Sequence, residues 1–286
     1  MAGHNLLLDE LYEKDIQQLI RLSESVGWDY DESEIRTIMI SGLVYGHKTM
    51  AGEIVSCAAI IPYGDNLASL GMVIVHPNYR RLGLGKEVTI RCIQSVPRSV
   101  PIMLIATPEG KPMYERLGFK SVDSIQKYLC DSYHPPRNTD VIDYSFAPYH
   151  PSHLPGIIKL DQSACGANRK KFLSVRVQQA KQAITVQNRE GDIVGYAFSI
   201  QGTVNLIIGP VVAPNYKVAS HLLHKLAIAN ESRLRIDIPK EQGEFGSILV
   251  ERGFQMVSSP PIMLLNGDDL PARDRTLFGI AAQVFG

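Results

Sequence analysis

Val73-Ile74-Val75-His76-Pro77-Asn78-Tyr79-Arg80-Arg81-Leu82-Gly83-Leu84-Gly85-Lys86 is the stretch on which the fold turns. It continues an apolar run, Leu67–Val75, that reads as a strand, and it leads into Leu84, Val88 and Cys92, spaced by four as one face of a helix. A strand that turns into a helix leaves backbone N–H groups unpaired at the helix start. Those groups, with the helix dipole, favour a phosphate. Gly83 and Gly85 carry no Cβ, so a pyrophosphate can approach the main chain, and Arg80, Arg81 and Lys86 surround it with three cations. The spacing is neither that of a P-loop nor G-x-G-x-x-G, which argues against nucleoside triphosphate and dinucleotide sites.

The local cations matter because the chain as a whole has none to spare. Its 286 residues hold 29 Lys+Arg and 29 Asp+Glu. General nucleic-acid binders show a basic excess, so no nucleic-acid partner is expected. No apolar run approaches the ~18 residues of a membrane span, and the first residues lack the pattern of a signal peptide. Cys57, Cys92, Cys130 and Cys165 form no C-x-x-C pair, and the eight histidines lack metal-ligand spacing. A cytoplasmic protein without a metal site is the expectation, with no membrane partner and either a monomer or a homodimer.

Working outward, residues 5–8 predict a first strand. Tyr12, Ile16, Leu19, Ile20, Ser23 and Val26 predict a helix closed by Gly27, and the acids Asp31, Glu32 and Glu34 predict a second helix near 32–40. Gly42–Met50 and Glu53–Pro62 read as strands, with turns at Ala51-Gly52 and Tyr63–Asn66. Pro97 and Pro101 end the helix that begins near Leu84. A short strand at Ile102–Ala106, a helix at about 109–117 and an extended segment up to Cys130 follow. Residues 131–140, polar and rich in proline, read as a linker.

After the linker the order of signals restarts. Val75-His-Pro-Asn-Tyr-Arg80 is echoed by Val212-Ala-Pro-Asn-Tyr-Lys217, with the prolines 137 positions apart. Glu115-Arg-Leu-Gly-Phe119 is echoed by Glu251-Arg-Gly-Phe254, with the phenylalanines 135 apart. Two phrases in the same order at near-equal offset indicate a duplicated fold. Glu231–Ile238 then stands where the first half has Ile102–Ala106. Pairing Glu251 with Glu115 sets Val250 opposite Tyr114.

Residues 73–86 resemble the acyl-CoA-binding motif of the GNAT acyltransferase superfamily, [RQ]-x-x-G-x-[GA], matched at Arg80, Gly83 and Gly85. Tyr114, Gly118 and Phe119 resemble that family's Y-x-x-x-G-F. The resemblance extends to bacterial tandem-GNAT proteins through Leu160-Asp161…Gly166…Arg169 and Ile208-Gly-Pro210. It implies an α/β (α+β) chain of two GNAT-like domains, each with a mixed, mostly antiparallel central sheet flanked by helices. Residues 1–131 would be the catalytic domain, 132–140 the linker and 141–286 a degenerate partner domain. It further implies acetyl-CoA as cosubstrate. Val73, Ile74 and Val75 would lie along the pantetheine arm, with Arg80, Arg81, Leu82, Gly83, Leu84, Gly85 and Lys86 around the pyrophosphate. Tyr114 would protonate the departing thiolate. The implied activity is N-acetyl transfer to a primary amine, most simply a small molecule. The alternatives are an acyl-CoA sensor without turnover and a peptide or protein N-acyltransferase.

Two departures from the family pattern stand out. Thr107 occupies the strand end where many members carry Asn, and a helix-capping role suits it. The fourth strand holds no acid, so no general base is visible; the nearest acid is Asp65. Trp28 with Asp29 and Asp31 forms an aromatic and acidic loop that could receive a cation. Asp161 and Arg169 read best as a structural ion pair.

Overall fold

The computed structural model describes residues 6–136, 143–228 and 230–286, so the expected linker lies outside the described residues from position 137 onward. The first half begins with β1 (Leu7–Leu11), α1 (Ile16–Glu24) and α2 (Glu32–Ser41). β1 runs three residues past the predicted strand because its alternation is masked by Asp9 and Glu10. It is an edge strand paired antiparallel to β2 (Leu43–Lys48), with Leu11 opposite Val44. Tyr12 falls outside the helix it was predicted to begin, since a 3-10 turn at Glu13–Asp15 intervenes. Asp31 caps α2, its carboxylate accepting the Glu34 N–H at 2.8 Å.

β3 (Ile54–Pro62) and β4 (Ala68–Val75) complete an antiparallel meander. A bulge breaks the β3–β4 register: Cys57 faces Ile74 but Ala59 faces Gly71, and Met72 takes φ +50 between them. Such an extra residue bends its strand. α3 (Leu84–Gln94), β5 (Ile102–Ile105), α4 (Lys111–Arg116) and β6 (Lys120–Cys130) follow. β5 is parallel to β4 for only two steps, Ala68–Ile102 and Ser69–Met103, after which the strands part.

The second half repeats this order: β7 (Ser145–Pro148), α5 (Leu154–Cys165), α6 (Lys170–Gln179), β8 (Gln182–Gln187), β9 (Ile193–Gln201) and β10 (Leu206–Val212). Then come α7 (Tyr216–Ala227), β11 (Leu234–Pro239), α8 (Gly243–Glu251), β12 (Gln255–Ser258), β13 (Pro261–Leu265) and β14 (Leu277–Gly279). β10 and β11 are likewise parallel for two steps only, Leu206–Leu234 and Ile207–Arg235.

The halves are joined by exchanged strands. β13 inserts between β5 and β6, while β6 runs on to lie between β11 and β12. One sheet therefore continues through the molecule in the order β1-β2-β3-β4-β5-β13-β6-β11-β10-β9-β8-β7 among the described residues. Each half completes the sheet of the other, which leaves fewer open strand edges at the junction. Separate clusters sit under α3 and α4 and under α7 and α8, but a third core is shared. It joins α1 and α2 to α5, α6 and the final residues, with Ile35, Ile38, Phe172, Leu173 and Phe285 at most 1% exposed.

Candidate active site

The segment expected to hold a phosphate is a loop from His76 to Gly83 followed by α3. Pro77–Tyr79 make a 3-10 turn, and Gly83 is the N-cap of α3 at φ +84. This left-handed conformation strains any residue with a Cβ. Gly83 offers no side-chain cap, so the first N–H groups of α3 keep their capacity for an external acceptor. Arg80, Arg81, Leu82, Gly83 and Lys86 are exposed. The three cations make no ion pair with a described residue. Leu84 is buried and anchors the helix, and Gly85 lies where a Cβ would sit 3.3 Å from Val75 and 3.6 Å from the Met113 sulfur. That close passage sets α4 beside the cradle.

β4 leads into this loop with one main-chain edge open. Its pairing to β5 stops at Ser69, so Gly71–Val75 face a gap bounded opposite by Ile105 and Ala106. Val73 and Val75 are half-buried on the α3 side, whereas Ile74 is 2% exposed and packs on the other face with Cys57 and Met72. Of the three, Ile74 can offer a ligand only its backbone.

Tyr114 projects from α4 into the α3-side cluster, its ring 5.9 Å edge-on to Phe119. Burial pushes its phenol above the ordinary range. Thr107 does not cap α4 itself, whose N-cap is Gly110 without a side-chain bond; its hydroxyl accepts the Gly110 N–H at 3.2 Å in the turn that precedes the helix.

A cavity of about 730 Å³ opens at the parting of β4 and β5 and is walled by both halves. Gly71, Met72, Ile105, Ala106 and Thr107 line it from the first sheet, and Trp28, Asp29, Tyr30, Asp31 and Glu34 from α1–α2. Ile200, Ile207, Arg235 and Ser258 supply the second half's wall, joined by Lys127 from β6. Ala282, Gln283 and Val284 close it from the end of the chain. A Cβ on Gly71 would come within 2.9 Å of the Val284 Cα, so only glycine lets that segment lie on β4. The Trp28 loop thus borders the cavity. Asp65 does not; it lines a different, open depression. Glu34 is committed to a buried ion pair with Arg176 and a hydrogen bond from Gln179.

The final segment is held by Arg169. Its guanidinium makes a buried pair with Asp161 at 2.9 and 2.6 Å and a partly buried bond to the Gly286 carbonyl at 2.7 Å. Tyr63 and Ser69 hydroxyls donate to the carbonyls of Phe285 (2.6 Å) and Val284 (2.8 Å). Asp161 and Arg169 are the structural pair that the sequence suggested.

The second half lacks the cradle for reasons beyond its missing glycines. Only residues 213–215 separate β10 from α7, and the Val218–Leu222 segment lies inside that helix. The Asn215 side chain caps α7 by accepting the Val218 N–H at 3.1 Å, so a donor left free in α3 is satisfied here. The gap between β10 and β11 is itself filled. β14 pairs with β10 at Val211–Gly279 and Val212–Leu277, and the Ile280 N–H donates to the Asp237 carbonyl on β11 at 2.9 Å. The pairing of Val250 with Tyr114 is corrected: Leu249, fully buried, is the counterpart. The same turn follows in both halves, Phe119 N–H to Tyr114 O and Phe254 N–H to Leu249 O, each at 3.0 Å, through Gly118 (φ +94) and Gly253 (φ +91).

Lys127, Arg235, Gln179, Gln201 and Gln283 went unnoticed in the sequence. They stand far apart along the chain, in segments without a motif; strand exchange brings Lys127 beside the strand of Arg235, and the packing of the two halves brings the glutamines to the same cavity.

Comparisons with known proteins agree with this architecture. Two family profiles, each described as an acetyltransferase (GNAT) domain, match residues 31–128 and 157–279. An uncharacterised N-acetyltransferase of Bacillus subtilis, YitH, is 32% identical over 280 residues, covering 98% of both chains. Among solved structures, a protein of Pyrococcus horikoshii described as a candidate acetyltransferase superposes with TM-score 0.81 at 20% identity, over 100% of this chain and 98% of that one. A tandem GNAT protein from the clavulanic acid biosynthesis pathway gives TM-score 0.69 at 13% identity, over 92% and 99%. With a full-length relative at this identity, and both halves matched separately, the chain belongs to the GNAT acetyltransferase family as an acyltransferase with two such domains in tandem.

Proposed function

We propose that the protein transfers an acetyl group from acetyl-CoA to the primary amine of a small acceptor by direct attack, using a single cofactor site in residues 1–131. The observation that carries this reading is the open edge of β4, which runs from the cavity at Gly71 to the uncapped start of α3. In it, main-chain groups of Val73–Val75 hydrogen-bond the pantetheine arm, and the segment Arg80–Lys86 receives the pyrophosphate. The acceptor nitrogen approaches from the cavity and attacks the thioester carbonyl carbon. As the C–N bond forms, the C–S bond breaks. Tyr114 gives its proton to the departing sulfur, the amine loses one to solvent, and the tyrosine is reprotonated from water. Burial keeps the Tyr114 phenol protonated but makes it a weaker acid, so its proton moves to the sulfur only as thiolate charge develops. Residues 141–286 serve as a degenerate domain that walls the acceptor cavity.

Calorimetric titration with acetyl-CoA tests the reading. One molecule should bind per chain, since β14 occupies the corresponding gap of the second half. Tyr114→Phe should leave that affinity nearly intact and lower kcat by roughly 10²-fold or more. Absence of binding, or an unchanged rate in Tyr114→Phe, would refute it.

A further inference from the structure

The second half's wall of the cavity carries a cationic pair whose charge the protein does not fully use. Lys127 on β6 stands directly opposite Asp237 on β11 and opposite Ser258 on β12. Arg235, two residues from Asp237, shares its face of the sheet. Asp237 is already engaged: Arg235 grips it with Nε at 3.1 Å and Nη2 at 2.6 Å, and Gln283 donates to it at 3.2 Å. Lys127 is thereby left without an ion pair among the described residues, half-buried beside a guanidinium whose Nη1 has no hydrogen bond to a described residue. Burial, and then Arg235, depress the Lys127 ammonium below the usual lysine range. Of the two carboxylates that act on these cations, Asp237 is engaged by Arg235 and Gln283, which leaves Asp29. Asp29, in the Trp28 loop, also lines the cavity and makes no ion pair with a described residue, and it acts on Lys127 and Arg235 alike, so its carboxylate is the acid available to an ammonium.

We propose that the acceptor is an amine that also bears a carboxylate, of the amino-acid class, with the carboxylate bound by Lys127 and the free Nη1 of Arg235. Lys127 and the one free nitrogen of Arg235 offer one charged donor to each oxygen of a carboxylate, and with Asp237 and Asp29 close by the site holds too little positive charge for a phosphate dianion. The inference rests on the acetyl transfer proposed above and names its substrate class. It also gives the second half a role in recognition, because Arg235 and Ser258 come from it while Lys127 reaches its sheet through strand exchange.

The test uses the full-length protein, saturating acetyl-CoA and a panel of L-amino acids, each compared with its carboxamide. The acids should be preferred in kcat/KM by roughly tenfold or more. Lys127→Met should bring that ratio close to one by raising KM, with acetyl-CoA affinity unchanged, and Lys127→Arg should restore most of it. Equal or better use of the carboxamides by the wild type overturns the proposal, as does a ratio unmoved in Lys127→Met. Preference for phosphoethanolamine over every amino acid overturns the carboxylate assignment. If no compound is acetylated, calorimetric binding of the same pairs to the CoA-loaded protein decides by the same criterion. Failure to bind acetyl-CoA at all would instead refute the underlying transfer reading.

Discussion

Asp161→Asn isolates what holds the last residues of the chain against the cavity. Asp161 is fully buried and Arg169 is 2% exposed. The carboxylate takes two hydrogen bonds from the guanidinium, at 2.9 and 2.6 Å, and another from the Tyr196 hydroxyl. Substitution by Asn keeps the shape but removes the charge, leaving Arg169 buried without a counter-ion. Breaking a buried pair in this way costs about 3–5 kcal/mol, a large share of the ~5–15 kcal/mol that stabilises a typical fold. The melting temperature should therefore drop by roughly 10 °C, read by circular dichroism alongside urea denaturation. A second variant separates charge burial from mere contact. Replacing the whole cluster by apolar groups, Asp161→Leu with Arg169→Met and Tyr196→Phe, leaves no unpaired charge or hydroxyl, and such replacements are close to neutral. It should recover most of the lost stability, short of the Arg169 bond to Gly286. Because Ala282–Val284 line the cavity, Asp161→Asn should also raise the acceptor KM more than it lowers kcat at temperatures below the transition. A single variant as stable as the wild type, or a triple variant as unstable as the single one, would rule out an unpaired buried charge as the cause.

Two further outcomes follow from local geometry. Gly83→Val puts a β-branched residue at φ +84, at a cost of about 1–2 kcal/mol. The added Cβ meets nothing closer than a Glu87 oxygen at 3.7 Å. The protein should fold with a melting temperature a few degrees lower, yet bind acetyl-CoA at least roughly tenfold more weakly by calorimetry, where equal affinity would remove the cradle from the proposed site. For Tyr114, a raised pKa means that the proton-bearing form persists to higher pH than in a free phenol. The pH profile of kcat should thus show no loss from this group up to about pH 10, and an alkaline limb near pH 9 that vanishes in Tyr114→Phe would contradict the assignment.

The sequence by itself determined the parts governed by short-range rules. The helix–strand order from Tyr12 to Cys130, the capped start at Asp31, the glycine at the mouth of α3 and the turn through Gly118 are legible because each depends on residues within a few positions of one another. The restart after residue 140 was legible for the same reason, since a repeated local phrase implies a repeated unit. Where the echo was only approximate, local matching misled: the shared Glu-Arg letters aligned Val250 with Tyr114, while the hydrogen bond closing the turn selects Leu249.

The tertiary structure alone decided what the second half does to the first. The exchange of β6 and β13, the filling of the β10–β11 gap by β14, and the return of residues 280–286 to β4 are pairings between segments far apart in sequence. No periodicity announces them, because a strand's alternation states which face is buried but not which edge it joins. The glycine-bearing loop and helix start could be read from fourteen consecutive residues. The cavity wall that places Lys127, Arg235 and Ser258 on three adjacent strands exists only once those strands are paired.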